Sequence, residues 1–287
     1  MDRRRIAQIV AAVAQNGYIK GFATGTLFRG ASKRFCVPGL NCYSCPGALG
    51  ACPIGAIQSL AANPSIGLSF YAYGFILLAG ALAGRFVCGF LCPFGLIQEL
   101  LHKIPLKKLR ERPAFKLLSK LKYAVLAVLV VGIPTCLAAS GGVGFPAFCK
   151  WLCPAGTLEA GIPLAIADSR VRGAAGALFA WKVSVLLLVI FLSIKIFRPF
   201  CRFVCPLGAL YSLLNRVSVV HIRTDGSRCD GCGKCVAACP MGADSPDSPE
   251  CIRCGRCLGA CASKAKCWSA ASRNAASRNA AKGSASK

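Results

Sequence analysis

Eight cysteines towards the C-terminus fall into two runs of one spacing. Cys229, Cys232, Cys235 and Cys239 read C-x2-C-x2-C-x3-C and are followed by Pro240; Cys251, Cys254, Cys257 and Cys261 repeat the pattern. Gaps this short let three thiolates on one tight loop reach adjacent corners of an iron–sulfur cubane, and the fourth corner is met from elsewhere in the chain. With the last cysteine of each run serving the other cluster, one [4Fe-4S] cluster is expected on Cys229, Cys232, Cys235 and Cys261. The other is expected on Cys251, Cys254, Cys257 and Cys239. Gly231, Gly233 and Gly255 leave backbone room around inorganic sulfur. Ala262 stands where the first run has Pro240, which removes no ligand. Clustered thiolates also suit zinc, but a zinc ribbon is spaced differently.

A second cysteine motif recurs upstream. Cys88-Gly-Phe-Leu-Cys92-Pro93-Phe-Gly95, Cys149-Lys-Trp-Leu-Cys153-Pro154-Ala-Gly156 and Cys201-Arg-Phe-Val-Cys205-Pro206-Leu-Gly208 are three copies, and Cys52-Pro53-Ile-Gly55 is a partial fourth. Repetition at this level implies repeated span-plus-motif units. Proline suits the first turn of a following helix, and a thiolate at a helix start gains from its positive end. Cys88, Cys92, Cys201 and Cys205 make a complete ligand set for a further cluster. Cys42, Cys45, Cys52, Cys149 and Cys153 supply more thiols than another cluster needs, so the spacing leaves its four ligands open. Disulfides are the competing reading for that second group, in an oxidising compartment. Cys136 lies in an apolar run and reads as packing; Cys267 stands outside every motif.

These motifs need elements to hold them. The chain of 287 residues is 55% hydrophobic, above the range of soluble domains. Apolar runs at Ile66–Phe86, Tyr123–Ala139 and Trp181–Phe197 approach the roughly 20 residues that cross a bilayer. Ile6–Phe28 is a fourth candidate despite Gln8, Gln15, Asn16 and Lys20. A net charge of +25, from 35 Lys+Arg and 10 Asp+Glu, could mark a nucleic-acid binder. The basic residues instead flank the apolar runs, with Lys103, Lys107, Lys108, Arg110, Arg112, Lys116, Lys120 and Lys122 together in one connection. That is the positive-inside pattern. It puts Cys88, Cys92, Cys201 and Cys205 on the cytoplasmic side, with the C-terminal unit. Cys36, Cys42, Cys45, Cys52, Cys149 and Cys153 fall on the outer side.

The fold class expected is an all-α membrane bundle of about four transmembrane helices with a C-terminal α+β two-cluster bacterial ferredoxin-like domain. The membrane domain covers 1–220, the ferredoxin domain 221–263, and a low-complexity, disordered tail 264–287. Only His102 and His221 are available for acid–base work, and there is no P-loop, dinucleotide fingerprint or C-x-x-C-H. Hydrolytic, nucleotide-dependent and haem chemistries therefore have no support. Gln98, Glu99 and His102, just beyond Cys92, are candidates to hold a quinone head, although polar residues on an interfacial helix usually face water.

The stretch from Cys36 to Gly55, CVPGLNCYSCPGALGACPIG, taken with the Cys-x3-Cys-Pro motifs, resembles the membrane 4Fe-4S binding proteins related to the NapH-type quinol-dehydrogenase subunit. The resemblance covers roughly residues 1–265. It implies about four spans, a C-terminal two-cluster domain, two cytoplasmic Cys-x3-Cys-Pro motifs matching Cys88, Cys92, Cys201 and Cys205, and membrane electron transfer, often from quinol. The chain departs from that pattern in its cysteine-rich loop and in the motif at Cys149. The function expected is a multi-pass protein of the cytoplasmic membrane that relays electrons between a quinol or redox protein partner and cytoplasmic ferredoxin-type clusters. It would carry two [4Fe-4S] clusters in the ferredoxin domain and one or two further clusters in the membrane domain, with lipid as surroundings and no nucleic-acid partner. The alternative is a redox sensor or an assembly factor for a metalloenzyme.

Overall fold

A computed structural model describes residues 3–63, 70–109, 113–142 and 144–269. Ile66–Ser69 of the first expected span, Arg110, Arg112 and the tail from 270 lie outside the described residues. The chain is mostly helical. Among the described residues two helices are long and apolar enough to cross a membrane, Pro113–Ala139 and Ala177–Lys195, and a shorter apolar helix runs Tyr71–Ala83. The first has a π-helical stretch over Leu126–Gly132, followed by Pro134 in the last helical segment.

Both long helices are apolar without being buried. Only 22% of the most apolar window of Pro113–Ala139 and 17% of that of Ala177–Lys195 is covered by the rest of the chain. Leu178, Trp181, Leu187, Leu188 and Phe191 stand exposed on the second. A soluble protein would bury such side chains against its own core, because exposed apolar area costs free energy in water.

The N-terminal segment departs from the single span expected over 6–28. It forms two helices, Arg3–Gln15 and Ile19–Thr24. Thirteen residues rise only about 20 Å, less than the hydrocarbon core. The polar residues explain the arrangement. Arg4, Gln8 and Gln15 are buried, while Ile6, Ile9, Val10 and Val13 face outwards. Gln15 Nε2 donates to the Leu91 carbonyl at 2.8 Å, and Arg4 binds Glu99. The helix therefore lies along the bundle with its polar stripe inwards.

Short helices follow the Cys-Pro motifs, as proline at the first helical position favours. They run Pro53–Ala62, Pro93–Leu101, Pro154–Gly156 and Pro206–Leu214. Their inner faces meet in one core that includes Ile54, Ile57, Phe94, Phe148, Phe200, Leu207 and Tyr211.

The C-terminal unit is closed by two antiparallel strands, β1 (His221–Thr224) and β2 (Lys266–Ser269), with Arg223 opposite Cys267. Cys267 is thus a strand residue. The pairing carries this unit past 263, the end read from the last cysteine run. Gly233 and Gly255, at φ +69° and +78°, each precede a four-residue helix bearing the third cysteine of its run. Only glycine takes that conformation without strain.

Candidate metal centres

The Cys-x3-Cys-Pro copies at Cys88 and Cys201 meet in the core. Cys88, Cys92, Cys201 and Cys205 are all at most 8% exposed, and each is within electrostatic reach of others in the set. Burial pushes the Cys92 thiol up to about 12, and the neighbouring Cys201 and Cys88 add to this. Burial likewise raises Cys201, while Arg198 and Arg85 oppose the rise. Arg85, Arg198 and Arg202 are all at most 1% exposed. Arg85 and Arg198 beside four buried thiols, with Arg202 facing Cys239, fit a group that binds as thiolates and is net negative.

The donors around these sulfurs are specific. Gln98 Nε2 donates to Cys201 Sγ at 3.0 Å, and Gln98 Oε1 accepts from the Phe200 N–H at 3.1 Å. The Gly208 N–H donates to Cys205 Sγ at 3.4 Å. Gly95 lets the Arg198 guanidinium pack close on the helix backbone, since a Cβ there would stand 2.9 Å from Arg198 Nη1. Glu99 lies 6% exposed and takes Arg4 through both oxygens, at 2.8 and 2.5 Å, and Arg198 at 2.7 Å. Gln98 and Glu99 are therefore committed to protein partners and do not face water. The His102 Nδ1 sits 3.2 Å from the Ser193 carbonyl. A quinone-holding role for Gln98 or Glu99 would have to break these contacts.

The second upstream group gathers more selectively. Cys42, Cys52, Cys149 and Cys153 line a cavity of about 1060 Å³ whose wall also carries Lys33 and Lys182. The sulfurs of Cys42 and Cys153 lie 3.6 and 3.7 Å from the point where a Cβ on Gly156 would stand. Cys42 is in electrostatic reach of Cys52 and Cys149, and Cys153 of Cys149, Cys42 and Cys52. Cys45 is engaged elsewhere, its thiol 3.6 Å from Asn16 Oδ1. Cys36 is in electrostatic reach of Cys52, but it does not line the cavity and its backbone forms a bridge to Ala51. All twenty cysteines are free thiols.

The inner-and-outer division expected from the basic loops meets a geometric obstacle. A Cβ on Gly39 would stand 3.1 Å from Cys92 Cα, and Gly39 precedes Cys42 by three residues. Three residues reach at most about 11 Å, so Cys42 and Cys92 are far closer together than the roughly 30 Å hydrocarbon core is thick. The loop that carries Cys42 lies against both thiol groups; Tyr211 OH donates to the Pro38 carbonyl at 3.0 Å on the same loop.

In the C-terminal unit, Cys239 joins Cys251, Cys254 and Cys257. Cys251 is in electrostatic reach of all three, and burial pushes its thiol up to about 11. Cys229 and Cys232 are exposed, and Cys261 is in electrostatic reach of Asp230, on the first loop. The loop of the second run docks onto the helical unit that precedes it. Gly89, beside Cys88, packs against the Ile252 carbonyl with no room for a Cβ. Arg85 donates to the Pro249 carbonyl at 2.6 Å and pairs with Glu250 at 3.0 Å. Among the described residues no three Cys, His, Asp or Glu side chains converge on the position of a single metal ion. A cubane spreads its four thiolates over separate irons, so such convergence is not what it requires.

Comparison with known proteins agrees with these thiol groups. A 4Fe-4S binding domain family matches three times, over 66–112, 124–162 and 178–224, each match enclosing one Cys-x3-Cys-Pro copy. A second 4Fe-4S binding domain family matches 221–243, the first ferredoxin-type run. This defines the class as an iron–sulfur protein. The chain is 29% identical to the methylamine utilization ferredoxin-type protein MauN of Paracoccus denitrificans, over 58% of this chain and 50% of that protein. It is 27% identical to the ferredoxin-type protein NapH of Haemophilus influenzae, over 58% and 50%. It is 31% identical to the uncharacterized protein MJ0749 of Methanocaldococcus jannaschii, over 56% and 53%. The chain thus spans about half the length of these relatives. No solved structure matches it. The chain is thus a 4Fe-4S protein similar to the ferredoxin-type proteins NapH and MauN.

Proposed function

We propose that the protein is a membrane-embedded electron relay. It passes electrons between a quinol or redox protein partner and two ferredoxin-type clusters, through a buried site formed by Cys88, Cys92, Cys201 and Cys205. The clusters, when bound, supply one-electron chemistry at potentials set by net charge, hydrogen bonds to sulfur and exposure. The protein holds the thiols, excludes water and fixes the spacing. The observation that carries this reading is the docking of the 249–253 loop on the Cys88 segment. Gly89 against Ile252 and Arg85 against Glu250 bring the Cys251, Cys254, Cys257 and Cys239 set next to the buried set. Electron transfer falls off steeply with distance, so this contact is what a relay needs.

Membrane insertion is supported by the two apolar, largely uncovered helices and by the outward-facing Ile6, Ile9, Val10 and Val13. Cytoplasmic placement of the C-terminal unit is supported by the basic connection over 103–122, between the Ile66–Phe86 and Tyr123–Ala139 runs.

The test is redox titration of anaerobically purified protein in lipid, followed by EPR. Beyond the two ferredoxin signals, a signal that disappears in Cys88→Ser/Cys201→Ser protein is expected. A spectrum of two ferredoxin clusters alone would reduce the protein to a tethered ferredoxin.

A further inference from the structure

The thiol group at Cys52 and Cys149 repeats the group at Cys92 and Cys201 bond for bond. Cys52-Pro-Ile-Gly-Ala-Ile-Gln58 aligns with Cys92-Pro-Phe-Gly-Leu-Ile-Gln98. In the second copy Gln98 donates to its own helix at the Phe94 carbonyl, donates to Cys201 Sγ at 3.0 Å and accepts from Phe200 N. In the first copy Gln58 donates to the Ile54 carbonyl, donates to Cys149 Sγ at 3.1 Å and accepts from Phe148 N at 2.9 Å. The Gly156 N–H donates to Cys153 Sγ at 3.4 Å, as the Gly208 N–H does to Cys205 Sγ. Three of the four sulfur positions therefore correspond: Cys52 with Cys92, Cys149 with Cys201, Cys153 with Cys205.

The fourth position does not correspond in sequence. Four residues before Cys52 stands Ala48, where the other copy has Cys88. The structure fills this gap from the adjacent loop, whose Cys42 brings its sulfur to the same point on Gly156 as Cys153. Beside it lies an orphaned cation: Lys33 Nζ is buried with no hydrogen-bond partner, 5.0 Å over the Tyr43 ring and in electrostatic reach of Cys42 and Cys45. The nearby acidic group is Glu159, which accepts from the Cys42 N–H at 2.7 Å and whose carboxyl burial pushes up to about 8; a protonated Glu159 and the Lys33 ammonium are both compatible with a cluster of net negative charge on these thiolates.

We infer that Cys42, Cys52, Cys149 and Cys153 hold a second [4Fe-4S] cluster in the membrane domain, a pseudo-symmetric copy of the Cys88 site, with Gln58 tuning its potential through Cys149. Cys36 and Cys45 are not ligands. This rests on the relay reading above and extends it, because the loop shared by Gly39 and Cys42 makes the two sites neighbours. The second site opens onto the basic cavity, whereas the Cys88 site is enclosed, so the second site is the end of the relay that an external donor or acceptor can approach.

The test uses the full chain, purified without oxygen in lipid, with iron and sulfide counts and EPR. Wild type should hold about sixteen irons, four per cubane. Cys42→Ser, Cys52→Ser and Cys149→Ser/Cys153→Ser should each abolish one common four-iron signal and lower the iron count, while the Cys88 signal persists as proof of folding. Cys36→Ser and Cys45→Ser should retain every signal. Gln58→Leu, which removes no ligand, should keep the iron and move only that signal to lower potential; it keeps the test decisive if a cysteine variant misfolds. Loss in Cys45→Ser with retention in Cys42→Ser would overturn the ligand set. An unchanged signal in Gln58→Leu would overturn its tuning role. Full iron in all the first variants, with loss in Cys88→Ser/Cys92→Ser, would remove the second site and leave the relay standing. Loss in neither set would remove the relay itself.

Discussion

Glu99 and Arg198 close a buried ion pair at 2.7 Å immediately beside the Cys88 site. Arg198 also donates to the Cys88 carbonyl, and the N-terminal helix reaches the same carboxylate through Arg4. One side chain thus ties the first helix and the Cys201 segment to the helix that follows Cys92.

Removing that carboxylate takes from the buried Arg198 and Arg4 the counter-charge that they share. Glu99→Ala is expected to cost about 3–5 kcal/mol, the range for breaking a buried pair from one side. A lowered unfolding temperature in detergent or lipid measures this. A variant as stable as wild type would mean that the pair adds nothing.

The same pair sets an acid limit. Burial pushes the Glu99 carboxyl up, but Arg198 and Arg4 outweigh it and hold it below the ordinary value. A carboxyl depressed in the folded state contributes stability above its unfolded pKa, near 4.3, and loses it as pH falls through the folded one. Wild type should lose stability below about pH 4 more steeply than Glu99→Gln. Parallel stability curves for the two proteins would count against the assignment.

Gln98→Leu should keep the Cys88-site cluster and lower its potential. The N–H donated to Cys201 favours the more negative, reduced state, and a tenfold change in the one-electron equilibrium is about 59 mV. A shift of that order is expected in an EPR titration, with the ferredoxin signals unmoved. A cluster lost outright would instead make Gln98 essential to assembly.

Glu250 bridges the two units by binding Arg85 at 3.0 Å and Lys122 at 2.6 Å, the latter on a long apolar helix. Glu250→Ala should loosen the docking of the ferredoxin unit without touching a cysteine. Faster hydrogen exchange over 249–253 and slower electron passage from the ferredoxin clusters to the Cys88 site are the expected readouts, at unchanged iron content.

Cys239→Ser and Cys261→Ser should each remove a different ferredoxin cluster. Cys239 stands with Cys251, Cys254 and Cys257, so its variant should spare the signal of Cys229, Cys232, Cys235 and Cys261. Loss of the same signal in both variants would contradict the crossed arrangement.

Cysteine chemistry was legible from the sequence because ligand spacing is local: two or three residues between thiols fix which of them share a loop. Cys-Pro-x-Gly likewise announced short helices, since proline at a first turn acts within a few residues. The apolar runs named both long helices for the same reason. The N-terminal segment differs from a single span because the partners of Arg4 and Gln15, Glu99 and the Leu91 carbonyl, which draw that face inwards, lie more than seventy residues away in the sequence. Of the glutamines that bind sulfur, Gln58 carries no signal of its own in the sequence, and Gln98 reads there as a quinone contact and not as a donor to Cys201. Their repeat, six residues after Cys52 and Cys92, was on the page, but their targets are 91 and 103 positions distant.

The chain by itself determined what these residues can bind, because thiol number, spacing and the helix starts after each Cys-Pro depend on neighbours within one or two turns. The tertiary structure alone decided which distant thiols meet, which glutamine faces which sulfur, and that Cys42 and Cys92 share one loop wall instead of opposite membrane faces. Those outcomes arise from close packing among elements dozens of residues apart, where position is fixed by the whole core and no local pattern carries it.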